Sequence, residues 1–332
     1  MRIGIVVPAF NAAPWIGDAI ASVIAQTHRD WTLVVVDDGS VDTTVNVVAR
    51  FDDPRIRVIR QANAGVSAAR NRGIAALSGR NDALLLLDAD DWLAHDALSR
   101  LANSLAASPG AVAAVGAYTF VDTGRWRRPP AGDLLERLLV RNLFANGGHL
   151  LLRTTAVLAA GGFLTGLTYG EDWEYWIRIA RQGAFVATPM ARPVLFVRQH
   201  PGGAYHRLAS DPSAFVPCMA AIFANPVLLA RFGADRLAAI RCRTEAENAW
   251  IIGRELIRHG EAADGRAWLR RSVRACPTAK RAALFAVACM LPVLPSVLRG
   301  PFRSYRPLAG LSQGKRGGVV HRVIAASSRG SQ

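Results

Sequence analysis

The chain has 332 residues, 51% of them apolar, which is ample for a buried core and excludes a disordered protein as the default reading. Its four cysteines, Cys218, Cys242, Cys276 and Cys289, lie in apolar, helical contexts without metal-knuckle spacing, so they read as reduced packing residues and not as a disulfide framework. The formal charge of +15 is concentrated late: residues 1–100 carry 10 basic against 12 acidic side chains, and residues 231–332 carry 19 against 6. Such a basic region attracts anionic lipid or nucleic acid, unless it only reflects a preference for arginine.

The opening "MRIGIVVPAF" has neither a long apolar region nor a cleavage site, so no secretory signal is expected and the cytoplasm is the expected location. "IGIVVPAF" is an apolar run of strand length, and "APWIGDAIASVIAQT" carries apolar residues at helical spacing. "WTLVVVDD" is a second strand. "SVDTTVNVVARF" is a helix with Ser40 or Asp42 as its N-cap, "RIRVIRQ" a half-exposed third strand, "GVSAARNRGIAALS" a helix and "DALLLLDAD" a fourth strand. This alternation predicts an α/β fold: a mainly parallel central sheet flanked by helices, with its ligand crevice at the carboxyl ends of the strands.

A helix is expected at about 94–107, then "AVAAVGAYTFVD" as one further strand and the loop "TGRWRRPPAGD". "GEDWEYWIRIARQG" is a helix with acids in its first turn, where the helix dipole favours them. Beyond about 210 the strand signals fade into a C-terminal helical appendage, including a helix pair at "TEAENAWIIGRELIRHG" and "EAADGRAWLRRSVRACP". The apolar segment 282–298 is interrupted by Pro292 and Pro295, so it is too short to span a bilayer; it either packs on the domain or lies in a membrane interface. The expected division is 1–215 for a nucleotide-binding domain, 216–311 for a helical region and 312–332 for a disordered basic tail.

Chemistry concentrates at the strand ends. Asp37 and Asp38 close the second strand, and Asp88, Asp90 and Asp91 come directly after the fourth. Positions 88 and 90 project the same way from extended backbone, so two hard oxygen donors can face one ligand; Mg²⁺ or Mn²⁺ bridging a diphosphate suits them, and an acidic helix-capping turn is the alternative. Neither G-x-G-x-x-G nor G-x-x-x-x-G-K-[ST] occurs, which removes the usual anchors of nicotinamide dinucleotides and P-loop nucleotides.

In this order, "VVPAFNAAPWIGDAIASVIAQTHRDWTLVVVDDGSVDTT", "NAGVSAARNRGI" with "LLLLDADDW", "GGFLTGLTYGEDWEYWIRIARQG" and "FVRQHPGGAYHR" resemble segments of the family 2 inverting nucleotide-sugar glycosyltransferases of the GT-A fold, over residues 1–205. The resemblance implies that Pro8, Phe10 and Asn11 line the base pocket and that Asp38 accepts a hydrogen bond from the base. It implies that Asp88 contacts ribose or assists the metal, that Asp90 is the main ligand of a divalent cation, and that His200 either ligates it or approaches the diphosphate. Arg70 faces the diphosphate or forms an ion pair. Asp172 is the implied catalytic base, with Glu171 and Trp173 on the acceptor side. The implied donor is a nucleotide-diphosphate sugar, a UDP-sugar foremost, and the acceptor a glycan or lipid-linked molecule of cell-envelope or polysaccharide synthesis. An anionic membrane surface is a further expected partner, with the protein peripheral at the inner face, and no specific nucleic acid is expected. Two other readings stay open: a nucleotidyltransferase on a similar sheet, and a basic polyanion- or membrane-binding protein with a non-catalytic nucleotide site.

Overall fold

The computed structural model describes residues 1–189, 192–199, 211 and 213–290. The first third alternates as the periodicity predicts: β1 (Ile3–Ala9), α1 (Ile16–Ile24), β2 (Trp31–Asp37), α2 (Thr44–Val48), β3 (Ile56–Arg60), α3 (Val66–Leu77) and β4 (Ala83–Leu86). Then come β5 (Trp92–Leu93), α4 (Ala97–Ala106), β6 (Ala111–Val115), β7 (Tyr118–Phe120), β8 (Trp126–Arg127), α5 (Leu135–Val140), β9 (Leu150–Arg153), α6 (Thr154–Ala160), α7 (Glu171–Ala180), β10 (Ala184–Ala187) and β11 (Leu195–Val197).

Seven strands form the central sheet in the order β10-β6-β9-β4-β1-β2-β3. Every neighbouring pair is parallel except those of β9, which runs antiparallel between β4 and β6. The register puts Val6 beside Val34 and Leu86. Because successive strand side chains alternate faces, Val6, Val34, Val36, Leu84 and Leu86 enter one core and Ile3, Ile5, Val7, Leu33, Val35 and Leu85 another. Both faces of the inner strands β1, β2 and β4 are therefore dry, which is why these strands read as continuous apolar runs. Helix α3 comes so close to the sheet that a Cβ on Gly73 would stand well inside van der Waals contact of Val6 Cγ1, so glycine is required there.

Three sequence expectations change. "AVAAVGAYTFVD" is not one strand: the chain breaks at Gly116 and Ala117, where Gly116 N–H donates to His149 O and Val194 N–H donates to Ala117 O, and β7 leaves for a second sheet of order β5-β11-β7-β8. The loop at 123–133 contains β8, which is exposed and paired only with β7, so no burial pattern marked it. The helix expected from Ser40 or Asp42 is only five residues long, with Thr43 at its N-cap; the Asp42 carboxylate instead accepts from the Thr44 N–H and hydroxyl within the preceding turn.

The C-terminal region is helical as expected: α8 (Val216–Phe223), α9 (Pro226–Phe232), α10 (Ala234–Arg258), α11 (Ala262–Ala275) and α12 (Ala279–Met290). It is not a separate appendage in its packing. Phe215, Cys218, Met219, Ile222, Leu228, Leu237, Ile240, Ile252 and Leu256 continue the same core that holds Val6 and Trp176. Only Ile257, Leu269 and Ala288, among the described residues, form a cluster of their own. Among the described residues no helix is long and apolar enough to cross a membrane. Helix α12 covers the first part of the apolar segment 282–298; residues 291–298 and the expected tail at 312–332 lie outside the described residues.

Candidate active site

The strand order brings the carboxyl ends of β2, β1 and β4 side by side, so the acids after β2 and β4 open on one edge of the sheet. Asp37 and Asp38 divide their labour there. Asp37 is buried and accepts from Ser40 N–H at 3.2 Å and from Arg60 Nε at 3.3 Å, which holds the turn after β2. Asp38, also buried, reaches the loop that leads into α3: Oδ1 accepts from Gln61 Nε2 (2.8 Å) and Ala64 N–H (2.9 Å), and Oδ2 from Gly65 N–H (2.8 Å). Beside them Asn11 holds a left-handed backbone (φ 49°); its N–H donates to Ser40 Oγ and its Oδ1 accepts from Val41 N–H. Phe10 projects outward at 51% exposure, whereas Pro8 is buried within β1. A flat exposed ring beside buried polar anchors can stack on a planar ligand.

Helix α3 joins this edge to the other half of the site. Arg70, 6% exposed, donates from Nη2 to Asp88 Oδ1 (2.9 Å) and from Nη1 to Glu171 Oε1 (3.0 Å), with its guanidinium 5.3 Å from the centre of the Phe163 ring. Arg70 thus forms ion pairs with both acids. Burial disfavours its charge, yet Asp88 and Glu171 outweigh that and hold its pKa above the usual guanidinium value. The next residue, Asn71, exchanges two bonds with Phe163, Nδ2 to O at 2.9 Å and Oδ1 from N–H at 2.6 Å. Two consecutive residues of α3 thus fix the approach to α7.

At the N-terminus of α7 the three acids have different surroundings. Glu174 pairs with Arg178 through both oxygens at 2.7 Å, a helix-surface pair turned inward. Glu171 takes Arg70. Asp172 is half-buried; Oδ2 accepts from Asn142 Nδ2 at 3.2 Å and Oδ1 from Trp173 N–H at 2.6 Å. Desolvation first, and the neighbouring Glu171 second, push its carboxyl up to about 7 against the pull of Arg70. A carboxylate poised there can take a proton from a hydroxyl near neutral pH. The turn before it uses Gly170 in the left-handed region (φ 79°), and a Cβ there would meet Cys218 Sγ at 2.7 Å. The buried Cys218 thiol donates to Gly170 O, and burial pushes its pKa up, so it is inert packing behind the helix.

Trp173 requires a correction. Its ring is 3% exposed and its indole Nε1 donates to Leu138 O at 2.6 Å, so it braces α5 from inside the core and cannot line an acceptor surface. Asp88 and Asp90 are half-buried in the turn after β4. Asp91 is buried and structural: Oδ1 accepts from Arg198 N–H at 2.8 Å and Oδ2 from Asn146 Nδ2 at 2.5 Å, and burial together with Asp90 and Asp88 raises its pKa well above the carboxylate range. His200 lies outside the described residues. Among the described residues no group of three or more His, Cys, Asp and Glu side chains is arranged to enclose a metal. Asp88 and Asp90 supply the one or two hard carboxylate oxygens that a magnesium-type site would use, phosphate and water completing its shell.

Sequence reasoning assigned no role to Asn142, Asn146 or His149. All three precede β9, which enters the sheet backwards and so places its beginning at the carboxyl end of β4. His149 is fully buried; its Nδ1 faces Gly116 O (3.1 Å), its Nε2 accepts from Ala145 N–H (3.3 Å), and burial lowers its pKa to about 3, so it stays neutral. No periodicity announces a reversed strand, and no motif marks an asparagine that supports an acid 30 residues later.

Comparison with known proteins finds glycosyltransferases. The model of the family described as Glycosyl transferase family 2 matches residues 4–162. Glycosyltransferase GlyA of Streptococcus pneumoniae is 34% identical over 121 residues, 36% of this chain and 17% of that protein. EpsJ of Bacillus subtilis, an uncharacterized glycosyltransferase, is 33% identical over 130 residues, 39% of this chain and 37% of that protein. The chain thus spans well under half the length of these relatives. Among solved structures, TarS 1–349 of S. aureus in complex with UDP-GlcNAc superimposes with a TM-score of 0.59 at 16% identity, covering 88% of each chain. The mannosyltransferase PcManGT of Pyrobaculum calidifontis, in complex with GDP-Man and Mn²⁺, gives 0.56 at 20% identity, covering 88% of this chain and 81% of that one. The fold is therefore that of the GT-A glycosyltransferases, and residues 4–162 match the model of glycosyl transferase family 2.

Proposed function

We propose that the protein is an inverting glycosyltransferase that moves a sugar from a nucleotide-diphosphate sugar, a UDP-sugar foremost, to an acceptor hydroxyl in cell-envelope or polysaccharide synthesis. The observation that carries this reading is the Asp88–Arg70–Glu171 bridge, which joins the acids after β4 to the N-terminus of α7, one residue from Asp172. Phe10 and Asn11 serve the nucleotide base together with Asp38. Since Asp38 already accepts three hydrogen bonds from the loop before α3, it acts as much by fixing that loop as by touching the ligand.

Asp172 accepts the acceptor's hydroxyl proton while that oxygen attacks the anomeric carbon. The bond from that carbon to the diphosphate oxygen breaks on the opposite face, which inverts the centre. Asn142 keeps the carboxylate aimed. Negative charge grows on the leaving nucleoside diphosphate as the bond breaks. Asp90, with Asp88 and His200, would hold a divalent cation, Mg²⁺ or Mn²⁺, which supplies positive charge for that diphosphate. The Mn²⁺ and nucleotide sugars bound by the structural neighbours support this assignment. The basic C-terminal helices hold the enzyme at an anionic membrane surface, which is where lipid-linked acceptors would be met. We take 1–215 as the catalytic region and 216–311 as the region that faces the membrane.

The test is product analysis with a panel of nucleotide sugars. Release of nucleoside diphosphate with transfer to acceptor, lost on chelation with EDTA and lowered about 10²- to 10⁴-fold by Asp172→Asn, is the expected result. Release of pyrophosphate would make the protein a nucleotidyltransferase, and undiminished turnover in Asp172→Asn would remove Asp172 from its role.

A further inference from the structure

Asp90 stands third in a four-residue turn, Asp88 to Asp91, closed by Asp91 N–H donating to Asp88 O at 3.1 Å. Side chains hold that turn at both ends. Asp88 takes Arg70 at one end. At the other, buried Asp91 uses both oxygens, Oδ2 accepting from Asn146 Nδ2 and Oδ1 from Arg198 N–H at 2.8 Å. The turn and the two partners of Asp91 come from three separate segments: the chain after β4, the loop before β9 and the end of β11.

Each partner is itself fixed. Asn146 Oδ1 accepts from Gly148 N–H at 2.8 Å, which sets the sense of its amide and leaves Nδ2 for Asp91. A Cβ on the next residue, Gly147, would stand 2.7 Å from both Cβ and O of Leu86, so this loop lies directly on the chain that enters the turn. Arg198 Nη2 donates to Asp18 Oδ2 at 2.8 Å, and its guanidinium lies 4.9 Å from the centre of the Trp92 ring. The loop before β9 also carries Asn142, which donates to Asp172. Two tethers thus run from the turn to the N-terminus of α7, one through Arg70 to Glu171 and one through Asn146 and its loop to Asp172.

A buried carboxylate beside two further acids is a costly way to fill space, because an apolar side chain would avoid both desolvation and like-charge repulsion. What the carboxylate adds is direction, since two hydrogen bonds fix where three segments meet. We infer that Asp91 is a positioning residue: by clasping Asn146 and the Arg198 N–H it fixes the turn that presents Asp90, and through the loop before β9 it sets Asp90 and Asp172 in one geometry. The inference rests on the proposed glycosyltransferase reading for what Asp90 and Asp172 do, and on the contacts alone for the clasp.

The experiment exchanges donor and acceptor across the clasp in the full chain. In Asp91→Asn an amide NH₂ faces the NH₂ of Asn146, which cannot turn over without setting NH₂ against Gly148 N–H. Adding Asn146→Asp restores the match at unchanged net charge: the new carboxylate accepts from the new amide and from Gly148 N–H. Mn²⁺ binding in the presence of UDP is measured by calorimetry, and transfer is followed against Mn²⁺ concentration, well below the melting temperature of each protein. Asp91→Asn is expected to raise the Mn²⁺ Kd and the half-activating concentration about 10- to 100-fold, and the double variant to recover most of that loss. Asn146→Ala, which removes one bond and leaves the carboxylate in place, shifts both in the same direction by less and serves should Asp91→Asn fail to fold.

A lower melting temperature with unchanged Mn²⁺ binding and activation in these variants makes the clasp mere scaffolding and overturns the inference, as does a double variant no better than the single. Sugar transfer by the wild type in either case leaves the glycosyltransferase reading standing. Weakened Mn²⁺ binding in Asp91→Asn, rescued in the double variant, in a protein that transfers no sugar does the reverse, and a wild type that binds no Mn²⁺ with UDP overturns the inference together with the proposed cation.

Discussion

Asp172 is the residue whose environment most constrains the chemistry. Its carboxyl, pushed up to about 7, sits well above the ordinary aspartate value of 3.8. The stabilisation associated with its protonated form is therefore complete below about pH 4 and lost as pH rises through about 7. Activity and stability respond in opposite directions. Transfer rises with pH as the carboxylate forms, with an apparent midpoint near 7 in kcat/KM, and this limb vanishes in Asp172→Asn. The same variant, which cannot ionise, gains stability relative to the wild type as pH rises from about 4 to about 7, so its melting temperature should fall less over that range. A variant that lost both activity and stability equally at every pH would show a structural residue instead. The acids at the strand ends were legible as letters because apolar runs ending in clustered carboxylates have few structural uses. Their division of labour was not legible: Asp37 and Asp91 differ from Asp38 and Asp90 by one position, and only packing decides which carboxyl turns inward.

At the scale of elements, α3 organises the site. Its loop entrance is held by Asp38, its middle supplies Arg70 and Asn71, and Gly73 lets it approach β1. Gly73→Ala tests the last of these. Alanine would gain about 1 kcal/mol of helix propensity, but a methyl pressed into buried Val6 must displace a side chain with nowhere to go. The overpacking cost of about 1–3 kcal/mol wins. Urea denaturation should therefore show a net loss of stability, and activity should fall with it as Arg70 and Asn71 shift. The helix itself was plain from "GVSAARNRGIAALS", as were the four strands around it, because burial on both faces makes their patterns emphatic. The short strands β5, β8 and β11 were not, and β7 was read only as the continuation of β6, since two to three residues give no periodicity and their partners lie up to about a hundred residues away.

Across the whole molecule, the drop in strand signals near 215 suggests a boundary that the packing does not respect. The core containing Val6 and Trp176 runs through Phe215, Cys218 and Leu237 to Leu256. A chain shortened to residues 1–215 should accordingly expose apolar surface and aggregate or melt without a cooperative transition, whereas one shortened to 1–278 loses, of the described helices, only α12, with its packing on Ile257 and Leu269 and the Arg281–Glu247 pair, and should unfold cooperatively. Differential scanning calorimetry of the two distinguishes a shared core from an independent appendage. Local pattern reported α1, α3, α4, α7, α10 and α11, but which helices share a core is a property of long-range contacts that composition cannot encode.

The backward course of β9 has a bearing on how such a molecule can change. Each parallel strand hands the crevice the loop at its carboxyl end, while β9 hands it the loop at its amino end, so a separate stretch of chain, from Tyr118 to His149, furnishes the far wall. Lengthening or rewriting that stretch would leave every hydrogen bond around Asp38 intact, so under the proposed function new acceptors could be accommodated without rebuilding the nucleotide half.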